Sequence, residues 1–173
     1  MNNELIFTKD ELLEMYKLKN IVRYNHRTRL KDENVAEHSF FTALIALDIC
    51  KKLSINTHDT FKVIVKCLLH DTPEQELNDI TYDVKLKLNL YPLLKKFEDK
   101  YFEDNYANYA DIMINDDNNI INAIVNYADA MSVLQYAYNE IELGNMTFVS
   151  IVTETLERLE KLRDVLLEVI KND

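Results

Sequence analysis

The chain has 173 residues, with 30 acids against 20 bases and a net charge of −10. That length fits one domain, able to bury roughly 70% of its unfolded surface without disulfide staples. The acidic balance argues against nucleic-acid binding through the phosphate backbone. No apolar stretch nears the ~18 residues of a membrane span, and none reads as a secretory leader. Cys50 and Cys67 both fall inside apolar helical patterns, as buried free thiols of a cytoplasmic protein would. One glycine and two prolines leave few turn formers for a many-stranded protein. Leu, Ile, Lys, Glu and Ala recur at helical spacing, so the chain reads as an all-α, single-domain helical bundle over 1–173.

Thr8 with Glu11 forms a capping-box pattern that opens a helix from Lys9 to about Lys19. Residues 21–33 are polar and basic and read as a loop. Asn34 is a good N-cap for a long helix from about Val35 to Leu53, with Phe41, Leu44, Ile45, Ile49 and Cys50 as its core-facing stripe. Asn56-Thr57 introduces a helix from about Asp59 to Leu69, after which Pro73 forces a turn near Thr72. Pro73 at the first position of a short helix capped by Thr72 is the economical reading. The segments 82–90 and 92–109 are amphipathic; their tyrosines and acids suit a lid or partner surface, and core packing explains them equally well. A helix from about Asp116 to Leu143 ends at Gly144, a natural C′ residue. Thr147–Lys171 supplies the last helix, with Leu156, Leu159, Leu162, Leu166, Leu167 and Ile170 as its stripe.

Four titratable residues stand out against this apolar background: His38, the pair His70-Asp71, and Asp129. A titratable group in such a context costs free energy unless it has a partner. A lone buried histidine is commonly a satisfied core residue, and His-Asp dipeptides occur by chance. Here, however, the pair arrives where an apolar helix stops, and a second His and an Asp lie on two other long helices. Bundles build metal sites by converging polar groups from several helices. Two imidazoles and two carboxylates suit a divalent cation such as Zn²⁺, Mn²⁺, Co²⁺ or Fe²⁺. The turn before Pro73 allows His70 and Asp71 to face one site, whereas on a regular helix they would diverge by ~100°. Glu74 follows three residues later, where a carboxylate could activate water, and Asp79 could serve the leaving group; a merely solvated acidic loop is the bland alternative. Arg23, Arg27, Arg29 and Lys31 form a basic run just before the first candidate ligand. Such runs are commonly solvated, but here the nearby site raises the case for a phosphate-bearing substrate. His26 and His58 read as surface residues.

These residues carry a resemblance. NVAEHS at 34–39, LLHDTPE at 68–74, Asp79 and YADA at 127–130 resemble the HD-domain metal phosphohydrolases, and most closely the YfbR-type 5′-deoxynucleotidases. The resemblance spans about Leu18 to Phe148. It implies metal ligation by His38, His70, Asp71 and Asp129, and catalytic roles for Glu74 and Asp79. The family's Arg-aromatic pair falls on Arg23-Tyr24, its later lysine on Lys85, and its GN segment on Gly144-Asn145. These imply that Arg23 and Lys85 bind phosphate and that Tyr24 walls the sugar pocket. A homodimer or higher homo-oligomer acting on a small nucleotide is implied as well.

Three features depart from the pattern: Tyr24 stands where the bacterial enzymes have Trp, Thr81 and Asp83 replace prolines, and the middle and C-terminal segments are shorter. The compactness is similar to that of small HD-domain dATP triphosphohydrolases. Gln75 stands where guanosine tetraphosphate hydrolases carry a second acid. The leading expectation is hydrolysis of deoxynucleoside 5′-monophosphates to nucleoside and phosphate. A dNTP triphosphohydrolase comes next, and a non-catalytic helical module with a structural metal is the third reading.

Overall fold

Asn34 opens the helix that carries His38. In the computed structural model, which describes residues 6, 8–78 and 80–172, the Asn34 side chain accepts a hydrogen bond from the Glu37 amide, and α2 runs Val35–Lys52. Asn56 caps α3 (Thr57–Leu69) in the same way through the Asp59 amide, so α3 starts two residues earlier than the sequence pattern places it. Asn118 receives the amides of Ile120 and Ile121 and starts α8 (Asn119–Glu142). Each cap supplies an acceptor to amides that the first helical turn leaves unpaired. Gly144, at φ +101°, ends α8 in a conformation that L side chains rarely adopt, and α9 (Val149–Asn172) follows after a 3₁₀ turn.

Among the described residues the chain is helical without strands. The remaining helices are α1 (Lys9–Tyr16), α4 (Glu74–Leu77), α5 (Tyr82–Lys87), α6 (Tyr91–Asn105) and α7 (Ala110–Ile114). The helix expected to continue to Lys19 tightens instead into a 3₁₀ turn over Lys17–Asn20. The segment expected to run unbroken to Tyr109 stops at Asn105, and the short α7 follows it. Glu11's side chain, half of the expected capping box, lies outside the described residues; the Leu12 amide donates to the Thr8 carbonyl at 3.2 Å. No described helix is long and apolar enough to cross a membrane.

The central helix is α8, which packs against α2, α3 and α9. The main core joins Ala43, Ala46 and Cys50 of α2, Val63 and Cys67 of α3, Ile121, Ala123, Ile124 and Ala128 of α8, and Leu166 of α9. Small residues at these positions bring the helix backbones close together. Of the stripe expected on α2, Ile45, Ile49 and Cys50 pack into the core, whereas Phe41 and Leu44 are about half exposed, as are Phe40 and Leu47. The inward face of α2 also carries Val35, His38, Ser39, Thr42, Ala43 and Ala46. On α9, Leu159 and Leu166 are buried as expected, whereas Leu156 and Leu167 are exposed. Both cysteines are free and buried, and burial pushes the Cys67 thiol up to about 12. Within the 91–109 segment, Tyr101 and Phe102 pack inward, which favours the core reading for that stretch.

Two polar devices fix the frame. Lys66, buried on α3, donates to the Asp116 carbonyl at 3.1 Å and to Asn122 Oδ1 at 2.7 Å, tying α3 to the start of α8. Glu140, fully buried near the end of α8, accepts from the Leu30 amide at 2.9 Å, the Lys31 amide at 2.7 Å and Asn145 Nδ2 at 2.7 Å. Asn145 also donates to the Thr28 carbonyl. The 21–33 segment is therefore a pinned loop, closed at its neck by an antiparallel bridge between Val22 and Asn34.

Burial raises the Glu140 carboxyl, but the donors around it outweigh that and hold it below its usual value of 4.5. A depressed carboxylate stabilises the fold above its unfolded pKa and loses that contribution as pH falls through the folded value. Glu140→Ala should cost about 3 kcal/mol, because hydrogen bonds to a charged acceptor are lost and their donors stay buried. Urea denaturation checks this, and the difference from wild type should shrink below about pH 4.5.

Candidate metal centre

Three long helices bring their polar groups together where α3 ends. His38 sits one turn into α2 and is fully buried. His70 is the C-cap of α3, and Asp71 lies in the turn before Pro73. Asp129 projects from the middle of α8. The turn is held by Thr72, whose hydroxyl donates to the Leu69 carbonyl at 2.7 Å. This corrects the expected role of Thr72 as cap of the next helix: Pro73 occupies the N-cap position of α4 and Thr72 closes the helix before it. The same turn places adjacent residues on one site. His70 Nε2 lies 3.2 Å from Asp71 Oδ2, and His38 Nε2 lies 3.7 Å from that same oxygen. His38 Nε2 is also 3.1 Å from Asp129 Oδ1.

Candidate ligand atoms of His38, His70 and Asp71 all lie within 4.8 Å of one another, a grouping that could hold a metal ion. Asp129 is joined to the group through His38. The far nitrogens are fixed as well. His70 Nδ1 meets the Cys67 carbonyl at 2.9 Å; because a carbonyl only accepts, Nδ1 carries the proton and Nε2 faces the cluster. His70 Nε2 is buried, lies 3.2 Å from Asp71 Oδ2 and faces the other candidate ligands, a geometry in which it could serve as a ligand nitrogen. His38 Nδ1 meets Ser132 Oγ at 3.1 Å, and a hydroxyl serves either tautomer.

The electrostatics favour added positive charge. Burial alone would raise Asp71 and Asp129, yet both are held far below the carboxylate range: Asp71 by His70, His38 and Arg23, Asp129 by His38, His70 and Arg158. Burial would lower His70, but Asp71 and Asp129 outweigh it and bring it up to about 9. His38 moves the other way, because burial and the charge of Arg23 exceed the pull of Asp129 and Asp71. The cluster therefore retains two carboxylates that attract positive charge, whether a proton on His70 or a divalent ion.

The other residues singled out in the sequence divide. Glu74 and Lys85 line a cavity together with His70 and Asp71. Asp79 lies outside the described residues. Arg23 donates to Glu33 Oε2 at 3.0 Å, and its charge acts on Asp71 and Asp129. Tyr24 adopts φ +55°, a conformation uncommon outside glycine, and Arg29 Nη1 and the Arg27 amide both donate to its carbonyl. Its ring stacks on Tyr136 at 5.4 Å and meets Phe148 edge-on at 5.5 Å. His26 and His58 are exposed, as expected.

Three residues went unread in the sequence. Ser132 follows Asp129 by three positions, a spacing that places both on one helix face. Glu98 of α6 lines the same cavity, and burial pushes its carboxyl up despite Lys85 and Lys95. Arg158 of α9 donates to Asp129 Oδ2 at 2.9 Å. Only the Ser132 spacing was available from the sequence, since the other two depend on how distant helices meet.

A family model described as 5′-deoxynucleotidase YfbR-like matches residues 12–171. The chain belongs to that family. Membership makes it a metal-dependent nucleotide phosphohydrolase of the HD class. Solved structures agree on the fold of this YfbR-like chain. A conserved hypothetical protein from Pyrococcus furiosus superposes with a TM-score of 0.75 at 24% identity, covering 95% of this chain and 98% of its own. The cyanophage S-2L HD phosphohydrolase DatZ, bound to dA and one catalytic Zn²⁺, gives 0.74 at 16% identity over 97% of each chain. An HD-domain phosphohydrolase from Listeria innocua gives 0.70 at 22% identity, covering 94% of this chain and 83% of its own. No curated protein matches.

If the cluster binds a divalent ion, the ion should stabilise the folded chain. Zn²⁺ or Mn²⁺ at one hundred times its dissociation constant should add about 2.7 kcal/mol, or roughly 5–10 °C in Tm for a chain this size. Differential scanning fluorimetry should show that shift in wild type and lose it in Asp71→Ala.

Proposed function

We propose that the chain is a 5′-nucleotidase that hydrolyses deoxynucleoside 5′-monophosphates to deoxynucleoside and orthophosphate. The observation that carries this reading is the convergence of His38, His70 and Asp71 beside a cavity that Glu74 and Lys85 also line. Its family, described by its 5′-deoxynucleotidase member, supports the same reaction. The donor set, two imidazoles and two carboxylates, fits Zn²⁺, Mn²⁺, Co²⁺ or Fe²⁺, and the solved relative DatZ holds a catalytic Zn²⁺. His38, His70, Asp71 and Asp129 would hold the ion. Such an ion polarises a phosphoryl oxygen and lowers the pKa of water.

In this reading the chain's own groups do the following. Glu74 takes a proton from the attacking water as its oxygen bonds to phosphorus. Lys85 and Arg23 balance the phosphate charge, Lys85 as a point charge and Arg23 through its planar fork. The bond from phosphorus to the 5′ oxygen breaks, and that oxygen receives a proton; Asp79 is assigned to this end by family resemblance alone. Tyr24, whose ring is fixed against Tyr136 and Phe148, is assigned to the sugar side by family resemblance.

A triphosphohydrolase would need further cations for the additional phosphates, and the basic loop is where the sequence offers them. Arg29 is occupied, however, by Asp32 at 2.9 Å and by the Tyr24 carbonyl at 2.8 Å. That makes Arg29 a staple of the loop, and a triphosphate would have to draw on Arg27 or Lys31 instead.

Chromatography of products from metal-stripped protein reconstituted with Mn²⁺, Co²⁺ or Zn²⁺ tests this reading. Deoxynucleoside monophosphates should yield nucleoside and orthophosphate, with Asp71→Ala inactive; release of intact triphosphate from dNTPs would replace the reading with its rival. Glu74→Gln should keep the thermal shift with metal while losing about 10²–10⁴ of the rate, the usual contribution of a general base. Full activity in that variant would remove Glu74 from the proton transfer.

A further inference from the structure

We infer that Arg158 is a positioning residue of the metal centre, holding one oxygen of Asp129 so that the other alone is presented to the ion. This deepens the metal-centre reading and rests on it. The two oxygens of Asp129 are divided between different partners: Oδ1 lies 3.1 Å from His38 Nε2, inside the cluster, and Oδ2 lies 2.9 Å from Arg158 Nη2. A carboxylate with both oxygens free can ligate through one or both. With Oδ2 held by a guanidinium, Asp129 takes one coordination position, and another is left for water or a phosphate oxygen, as a catalytic site requires.

Arg158 is well placed to do this despite a side chain that is 48% exposed. Its neighbour Leu159 is buried against Ala130 and Leu134 of α8, so the α9 backbone is anchored one residue from the contact and one residue from Asp129 itself. An ion pair whose guanidinium end is this exposed contributes little to folding. Its consequence is therefore orientation of a ligand more than stability of the bundle. Arg163, further along the same helix, pairs at 3.0 Å with its exposed neighbour Asp164 and serves as an internal control.

The sign of the effect separates orientation from simple charge. Removing a cation beside a cation site relieves repulsion and would tighten metal binding. Removing the partner that orients a ligand weakens binding, commonly 10–100-fold. Metal affinity, measured by calorimetry of Mn²⁺ or Zn²⁺ into the metal-stripped full chain, reads this without reference to turnover. Arg158→Met should bind the ion about 10–100-fold more weakly, Arg158→Lys should recover most of the loss, and Arg163→Met should match wild type. Unchanged or tighter binding in Arg158→Met overturns the inference. So does unchanged metal affinity combined with a raised KM, which would make Arg158 a substrate contact instead. Wild type that binds no metal brings down the metal-centre reading too; wild type that binds, beside Asp71→Ala that does not, leaves only the Arg158 inference at stake.

Discussion

The molecule is organised around one electrostatic constraint: two carboxylates and two imidazoles meet at the junction of α2, α3 and α8, with His38 wholly removed from water. Isolated, each of these charges would destabilise the interior by several kcal/mol. Together they compensate one another only in part, because Asp71 and Asp129 remain strongly ionised and pull His70 toward its protonated form. Much of the surrounding architecture serves to hold that arrangement. Thr72 closes α3 so that His70 and Asp71 share a face, Ser132 and the Cys67 carbonyl hold the outer imidazole nitrogens, and the small residues of α2 let His38 approach α8.

A second layer connects the site to the basic loop. Glu140 and Asn145 anchor the backbone at Thr28, Leu30 and Lys31, and Arg29 holds the Tyr24 carbonyl while that residue takes a left-handed conformation. Strained conformations of this kind persist where the surroundings over-determine them, and they cluster at functional sites. The Gly144-Asn145 pair, singled out by resemblance, acquires a physical reason: glycine permits the turn, and Asn145 ties the end of α8 to the loop carrying Arg23 and Tyr24.

Much of this was legible in the sequence, for identifiable reasons. Asn34 and Asn56 announced α2 and α3 because capping is local chemistry, and Pro73 announced the turn because proline cannot continue a helix. His38, His70, Asp71 and Asp129 stood out because charge in an apolar helical pattern needs a partner. The buried faces were only partly legible. Ile45, Ile49 and Cys50 of α2 and Leu159, Leu162, Leu166 and Ile170 of α9 pack inward as the periodicity expects, whereas Phe41 and Leu44 on α2 and Leu156 and Leu167 on α9 turn outward. Arg158 and Glu98 were not legible at all, since their roles come from α9 and α6 docking on distant segments. Thr72 reads in sequence as the cap of the following helix, but Pro73 takes the N-cap position and the Thr72 hydroxyl donates back to the Leu69 carbonyl.

The central claim is that the buried polar cluster is a metal centre and not a self-sufficient ion-pair network. Anomalous diffraction from crystals grown with Zn²⁺ or Mn²⁺ tests it most directly. The account expects one strong peak bounded by His38 Nε2, His70 Nε2, Asp71 and a single oxygen of Asp129. Crystals that show no peak there, or an ion bound elsewhere with the cluster unchanged, would contradict it.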